Sequence, residues 1–234
     1  MYRDRAVRNP RMTFGGTRGG ATVEFALILL VLVPLLLGTG VVGVNLIRTL
    51  QTVQLARDAG HMYARGVDFS QPGNQTILMQ LGQSVGLAAG TSGSAVITLS
   101  ALTYVDKAAC TAVGAVAANG NPTSACTNFG DWVFTQWMVI GNAGLRRDGI
   151  GSPLVSGPTG VTVNSTTGLI SISDYVTKAG AVATFHSINP YSVVNGTAQG
   201  LPSGQMLYVA ESGVRGFSMA PFVTNGMTYA YGLF

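Results

Sequence analysis

Few residues of this chain could do chemistry, and one of them stands in an unusual place. In "TRGGATVEFALILL" (17–30), Glu24 heads a run from Phe25 to Ile47 that contains no charged side chain. A carboxylate at the edge of such a run is costly unless something offsets its charge. The N-terminal end of a helix does so in part, because the macrodipole favours negative charge there.

The other candidates carry less. His61 and His186 are the only histidines, and the nine acids are scattered singly. No nucleophile motif surrounds a Ser or Cys, so the sequence offers no catalytic residue, no metal site and no small-molecule substrate site. "GTGVVG" (38–43) has the G-x-G-x-x-G spacing of a dinucleotide cradle, with Asp58 twenty residues after Gly38. Such a cradle needs a helix and then a second strand before the acid, and residues 44–57 cannot hold both. Gly38, Gly40 and Gly43 therefore read as small residues that let membrane helices pack closely, with no cofactor. Cys110 and Cys126 have no second ligand at zinc-finger spacing. Outside the cytoplasm a disulfide between them is the default, and closing about 15 residues is worth roughly 3 kcal/mol; the alternative is two separate buried thiols. Asn74, Asn164 and Asn195 each begin Asn-x-Thr, a pattern that a Thr-rich chain produces by composition.

The elements that hold these residues follow from composition and periodicity. Charged residues make up 9% of the chain and apolar residues 47%, against about 25% charged in an average soluble domain. The net charge of +4 arises wholly in residues 1–19, which hold Arg3, Arg5, Arg8, Arg11, Arg18 and one acid, Asp4. The remainder has eight basic and eight acidic residues. A nucleic-acid partner would need basic residues spread over a folded face, so this tail reads as targeting information and not as a nucleic-acid site.

As a helix, Phe25–Ile47 rises about 35 Å, enough to cross a hydrocarbon core of roughly 30 Å. The arginine tail puts the N-terminus in the cytoplasm and the bulk of the chain outside. The expected organisation is a basic leader at 1–19, a transmembrane helix at 20–47 bent at Pro34, and an extracytoplasmic α+β domain at 48–234. In "NLIRTLQTVQLARDAGHMYARG" (45–66) the near-3.6 spacing of Leu46, Leu50, Val53, Gly60, Ala64 and Val67 extends the helix as an amphipathic one to about Gly66. Asn74 is placed to cap a second helix over about 75–88. Strands are expected at 94–105, with Ile97, Leu99, Ala101 and Val105 on one face, at 131–141, and as one strand or a pair within 204–219. Residues 142–203 read as mostly loop, with a short helix or strand around 173–185.

A basic leader ending in glycine, a glutamate five positions beyond it and an apolar helix opening on an aromatic together resemble a class III signal, the leader of type IV prepilins. Within that group, "RGGATVEFALILLVLVPLLLG" (18–38) and "RDAGHMYARG" (57–66) resemble the TadE/TadG family of pseudopilins from tight-adherence pilus systems. "GQMLYVAES" (204–212) is loosely similar to that family's late strand with its acid, here Glu211. Where family members often carry an acid and an aromatic just past the apolar run, this chain has Val44 and Asn45.

The resemblance implies a pilin-like α+β fold, with the long helix packed on a small antiparallel sheet. It implies a single-pass protein of the bacterial inner membrane that acts as a minor structural subunit rather than an enzyme. Its expected partners are the membrane, a prepilin peptidase that cuts between Gly19 and Gly20, and other pilin and pseudopilin subunits. Glu24, with Phe25 beside it, would serve assembly by pairing with the first-residue amine of a neighbouring subunit. Two rivals belong to other classes. A signal-anchored binding protein or adhesin would keep its leader arginines, and a membrane-anchored enzyme would need His61 or His186 to converge with acids.

Overall fold

The computed structural model describes residues 20–184, 192–194, 197–199, 204–224 and 226–234. The leader, Gly19, His186 and Asn195 lie outside the described residues.

Helix α1 (Gly20–Ala64) runs 45 residues without a break, with Pro34 inside it. Most helix formers in its first half are apolar and none is covered until Val41. Farther along, Thr52, Leu55, Ala56, Ala59, Gly60 and Tyr63 are buried. These recur at intervals of three and four, which is one face of a helix. The expected stripe is thus corrected: of its members only Gly60 is buried, while Leu46, Leu50 and Val53 stay exposed. The reason is steric. The sheet approaches over Ala56, Ala59 and Gly60, where small side chains permit contact; a Cβ on Gly60 would stand 1.9 Å from the Phe234 ring. The helix stops at Ala64, and Gly66 turns the chain at φ +84°, a conformation open to glycine at little cost.

The second helix, α2 (Pro72–Leu81), begins and ends earlier than expected. Pro72 fixes the first turn and Gln71, not Asn74, is the capping position. The Asn74 side chain instead donates to the Asp68 carbonyl at 2.7 Å. A short 3₁₀ turn, Gln83–Val85, follows.

Strands β1 (Ala95–Tyr104) and β2 (Trp132–Gly141) fall where alternation and β-branched content place them. A small hairpin of β3 (Ser192–Val194) and β4 (Thr197–Gln199) precedes β5 (Met206–Arg215) and β6 (Met227–Leu233). The main sheet has the order β2-β1-β5-β6, antiparallel throughout. The 204–219 segment supplies one strand, which pairs with β1 and with the later "MTYAYGL" of β6.

Both faces of the sheet are covered. On one, Ile97, Leu99, Ala101, Met138, Ile140, Ala210 and Val214 pack with Leu55, Ala59 and Tyr63 of α1. On the other, Leu102, Val105, Trp132, Phe134 and Val209 pack under the excursions that hold Cys110, Cys126, Ile150, Val161, Ile170 and Val176. Val105 therefore faces away from Ile97, contrary to the expected alternation. The register against β2 shifts between Ala101 and Leu102, and Val105 lies past the end of the strand. Within the covering layer, α3 (Lys107–Ala112) is capped by the Asp106 side chain and α4 (Ile172–Thr177) by Ser171. The segment 173–185 thus contributes a short helix.

Candidate functional site

Two parts of the molecule are built beyond what packing requires: the bare half of α1 with its fastening to the sheet, and a carboxylate buried under the opposite sheet face.

Gly20 is the first residue of α1, and Glu24 follows one turn later, about 6 Å along the axis. Glu24 and Phe25 are both exposed. The ion pairs found among the described residues, Arg146–Asp148 and Lys178–Asp174, belong to the globular part. No cation within the described residues is therefore paired with Glu24. From Val23 to Val44 nearly every large apolar side chain is exposed, so the described residues leave this half of the helix largely bare, apart from Val41 and the Gly38 position beside Phe222. The G-x-G-x-x-G residues lie within this unbroken helix, which excludes a phosphate-cradling turn.

The helix is fastened where the bare half ends. The Asn45 amide accepts from Phe217 N–H at 2.8 Å and donates to the Phe217 carbonyl at 3.2 Å. One turn on, Arg48 Nη1 donates to the Arg215 carbonyl at 2.6 Å. Ser212 Oγ, on β5, donates to the Thr52 carbonyl at 2.8 Å, and the Thr52 hydroxyl reaches Thr228 on β6 at 3.4 Å. At the far end the Tyr63 hydroxyl donates to Gln136 Oε1 at 2.7 Å, and burial raises its pKa above the usual phenol range. Asn45 was visible in the sequence only as a departure from the family pattern; no local signal marks it as a clamp.

Glu211 points from β5 into the opposite face and is 2% exposed. Its Oε1 accepts from Gly149 N–H at 2.7 Å and from the Tyr229 hydroxyl on β6. Its Oε2 has no partner among the described residues. Burial raises the Glu211 pKa, and the hydrogen bonds from Tyr229 and Gly149 offset this only in part. Burial and the facing carboxylate raise the Tyr229 pKa in turn. Gly149 is required by the close approach: a Cβ there would stand 2.1 Å from the Tyr229 hydroxyl. A single acid within an apolar strand was the only sequence signal for this site, and its partners Tyr229 and Gly149 lie too far along the chain to be foreseen.

Cys110 and Cys126 form a disulfide with Cα atoms 5.6 Å apart, beneath the second core. His61 meets the Phe234 ring edge-on at 4.8 Å between centroids, a packing contact. Asn164 Oδ1 accepts from the N–H groups of Thr166 and Thr167 and shapes a turn. Among the described residues no three His, Cys, Asp or Glu side chains gather as metal ligands.

A 45-residue helix, bare and apolar in its first half and packed on a four-stranded antiparallel sheet in its second, is a pilin-like arrangement. The apolar half is long enough to cross a membrane and fits a membrane anchor. Comparison with protein families agrees with this class: residues 19–61 match the family model described as TadE-like protein, so over that segment the chain is similar to that family. Proteins of that family are generally structural rather than enzymatic and are associated with tight-adherence pilus systems. The match ends at residue 61, within α1, and so stops before the sheet. No curated protein and no solved structure matches the chain.

Proposed function

We propose that this chain is a minor pseudopilin of a tight-adherence pilus. It is held in the inner membrane by α1, with its globular domain outside the cytoplasm. A prepilin peptidase removes residues 1–19, and the new Gly20 amine takes part in assembly with Glu24 of a neighbouring subunit. The globular domain of some 170 residues (65–234) supports a minor role, because a major subunit of such a pilus is little more than the helix.

The observation that carries this reading is the exposed stripe that runs from the end of the charge-free run onward. Leu46, Leu50 and Val53 are 61%, 57% and 49% exposed. If the hydrocarbon core spans about 20 residues from Phe25, it ends near Val44. Leu50 and Val53 then stand about 9 and 13 Å beyond it, where lipid does not cover them. An anchored monomer has no need of that stripe, whereas a subunit whose helix packs among other helices has. The test is a tagged chain expressed with its pilus system, from which sheared filaments and membranes are separated and the tagged chain's N-terminus sequenced. The expected result is tagged chain in the filament fraction beginning at Gly20. An intact leader with the chain confined to membranes would favour the anchored binding protein.

A further inference from the structure

The connection between β5 and β6 does not turn back at the sheet edge. It runs down beside α1, toward the half of the helix that the other described residues leave bare. Asn45 holds Phe217 at its upper end. Near its tip, the Phe222 ring lies where a Cβ on Gly38 would stand 3.5 Å from it. Gly38 is seven residues before Asn45, about 10 Å down the axis. Gly38, Val41 and Asn45 share one helix face, and Val41 is the one buried residue between Gly20 and Gln51.

Resting on the reading of α1 as a membrane helix, we infer that residues 216–223 bed into the outer lipid leaflet as a second membrane contact, with Arg48 and Arg215 meeting the lipid phosphates above them.

Depth is the first argument. With the hydrocarbon ending near Val44, Gly38 lies about 9 Å inside it and Arg48 about 6 Å outside. Phe222 is then level with the acyl chains, and the arginines are at headgroup height. Composition agrees, since no charged residue occurs from Gly216 to Phe234. Phe217, Met219, Pro221 and Phe222 make the connection apolar, and Phe222 keeps 39% of its surface open.

Several backbone groups of the connection are satisfied within the chain. Irregular chain in lipid is tolerated only where its polar groups are satisfied. Here Met219 N–H donates to Val223 O at 2.8 Å, and Val223 N–H returns to Met219 O at 3.0 Å. Phe222 N–H also donates to Met219 O at 2.9 Å, and Gly216 N–H to Gly226 O at 2.7 Å. The Asn45 amide serves Phe217, and Ser218 Oγ donates to Val223 O at 3.2 Å.

Charge completes the fit. Arg48 and Arg215 are joined through the Arg215 carbonyl, and among the described residues neither forms an ion pair. Two unpaired guanidiniums at headgroup height match the forked geometry that binds phosphate oxygens.

The test uses the full chain in phosphatidylethanolamine–phosphatidylglycerol vesicles at low protein density, with lipids brominated either near the headgroup or deep in the chain. Two variants each add a tryptophan, Phe222→Trp at the connection and Leu32→Trp in the helix. The native Trp132 and Trp137 on β2 give the common background. Leu32→Trp reports on the membrane reading, and the added emission should be lost with deep bromines. For Phe222→Trp the added emission should also be lost with the deep bromines, because the ring lies about 9 Å inside a leaflet of about 15 Å. Loss for Leu32→Trp with none for Phe222→Trp at either depth would overturn the inference and leave the membrane helix standing. Loss for neither would overturn both. Emission of Phe222→Trp that ignores bromine but shifts to the blue as protein density rises would assign the connection to a neighbouring protein copy, and would also overturn the lipid contact.

Discussion

Asn45 and Phe217 lie 172 positions apart in sequence and are joined by two hydrogen bonds between one side-chain amide and one backbone unit. The pairing mimics a strand contact and fixes where the bare half of α1 ends and the sheet begins. Asn45→Ala leaves the Phe217 N–H and C=O without these partners at a half-buried junction. An unsatisfied group of this kind costs about 1–3 kcal/mol. The expected outcome is a thermal unfolding transition lowered to that extent in detergent, with faster proteolysis within 216–224. Unchanged melting and unchanged cleavage would mean that Arg48, Thr52 and Tyr63 hold the junction without the amide.

How much of this was legible in sequence depends on the range of the forces involved. The charge-free run, the stop at Gly66 and strands β1 and β2 were readable because each is set by local pattern. The buried stripe was misread, since two faces of α1 carry apolar residues. What selects between them is how closely a sheet can approach Ala56, Ala59 and Gly60, and no local periodicity records that. Strand β6 was overlooked because "MTYAYGL" is short and gains its place from pairing with β5. Of the candidate sites, Glu24 and the cysteines stood out by type and spacing. The Glu211–Tyr229–Gly149 contact comes from three segments that only the fold brings together.

The buried Glu211 gives stability a pH dependence of definite sign. Its folded pKa is raised above the unfolded value near 4.5, so the folded state holds the proton more tightly. The corresponding stabilisation is fully present below the unfolded pKa and is lost as pH rises through the folded one. Glu211→Gln keeps an acceptor for Tyr229 and Gly149 and removes the titration. The stability of the native chain relative to this variant should therefore fall as pH rises from about 4.5 toward neutrality. Denaturant unfolding at a series of pH values measures the difference; a gap that does not vary with pH would mean that Glu211 titrates alike folded and unfolded.

The disulfide closes a loop between residues 16 apart and lies under the second core. Its removal by Cys126→Ser should lower stability by about 3 kcal/mol, while leaving α1 and its contacts in place. Non-reducing mass spectrometry should find the two peptides linked, and denaturant midpoints with and without reductant should differ for the native chain but coincide for the variant. A chain from an oxidising compartment with two freely alkylated thiols would contradict the pairing.

The exposed stripe and the buried stripe of α1 should answer differently to substitution. Leu50→Ser with Val53→Ser alters side chains that are 57% and 49% exposed, so folding stability should change by no more than about 0.5 kcal/mol at each site. Incorporation into filaments should nevertheless decline, because neighbouring helices would lose apolar contact. Gly60→Val should do the reverse and destabilise the fold, since its first added carbon overlaps the Phe234 ring. Normal filament content in the double-serine chain would remove the stripe from the assembly surface.

Glu24 separates assembly from residence in the membrane. It is exposed, one turn from Gly20, and heads 23 uncharged residues. The hypothesis is that its carboxylate pairs with the Gly20 amine of a neighbouring subunit once the leader is removed. Glu24→Gln keeps the shape and some hydrogen bonding but loses the charge. Insertion should persist, because a charge unfavourable to the membrane is gone. Cutting after Gly19 should persist too, since the glycine at the cut is untouched, whereas Gly19→Val should leave the leader attached. What should fall is the share of cleaved chain that enters filaments, and Glu24→Ala should behave alike if charge is the decisive property. Membrane level, N-terminal sequence and filament content, compared in one set of strains, distinguish the steps. Filament content unaffected by Gln at this position would leave the carboxylate as a helix-end anchor favoured by the macrodipole, and docking through a charge pair would have to be abandoned.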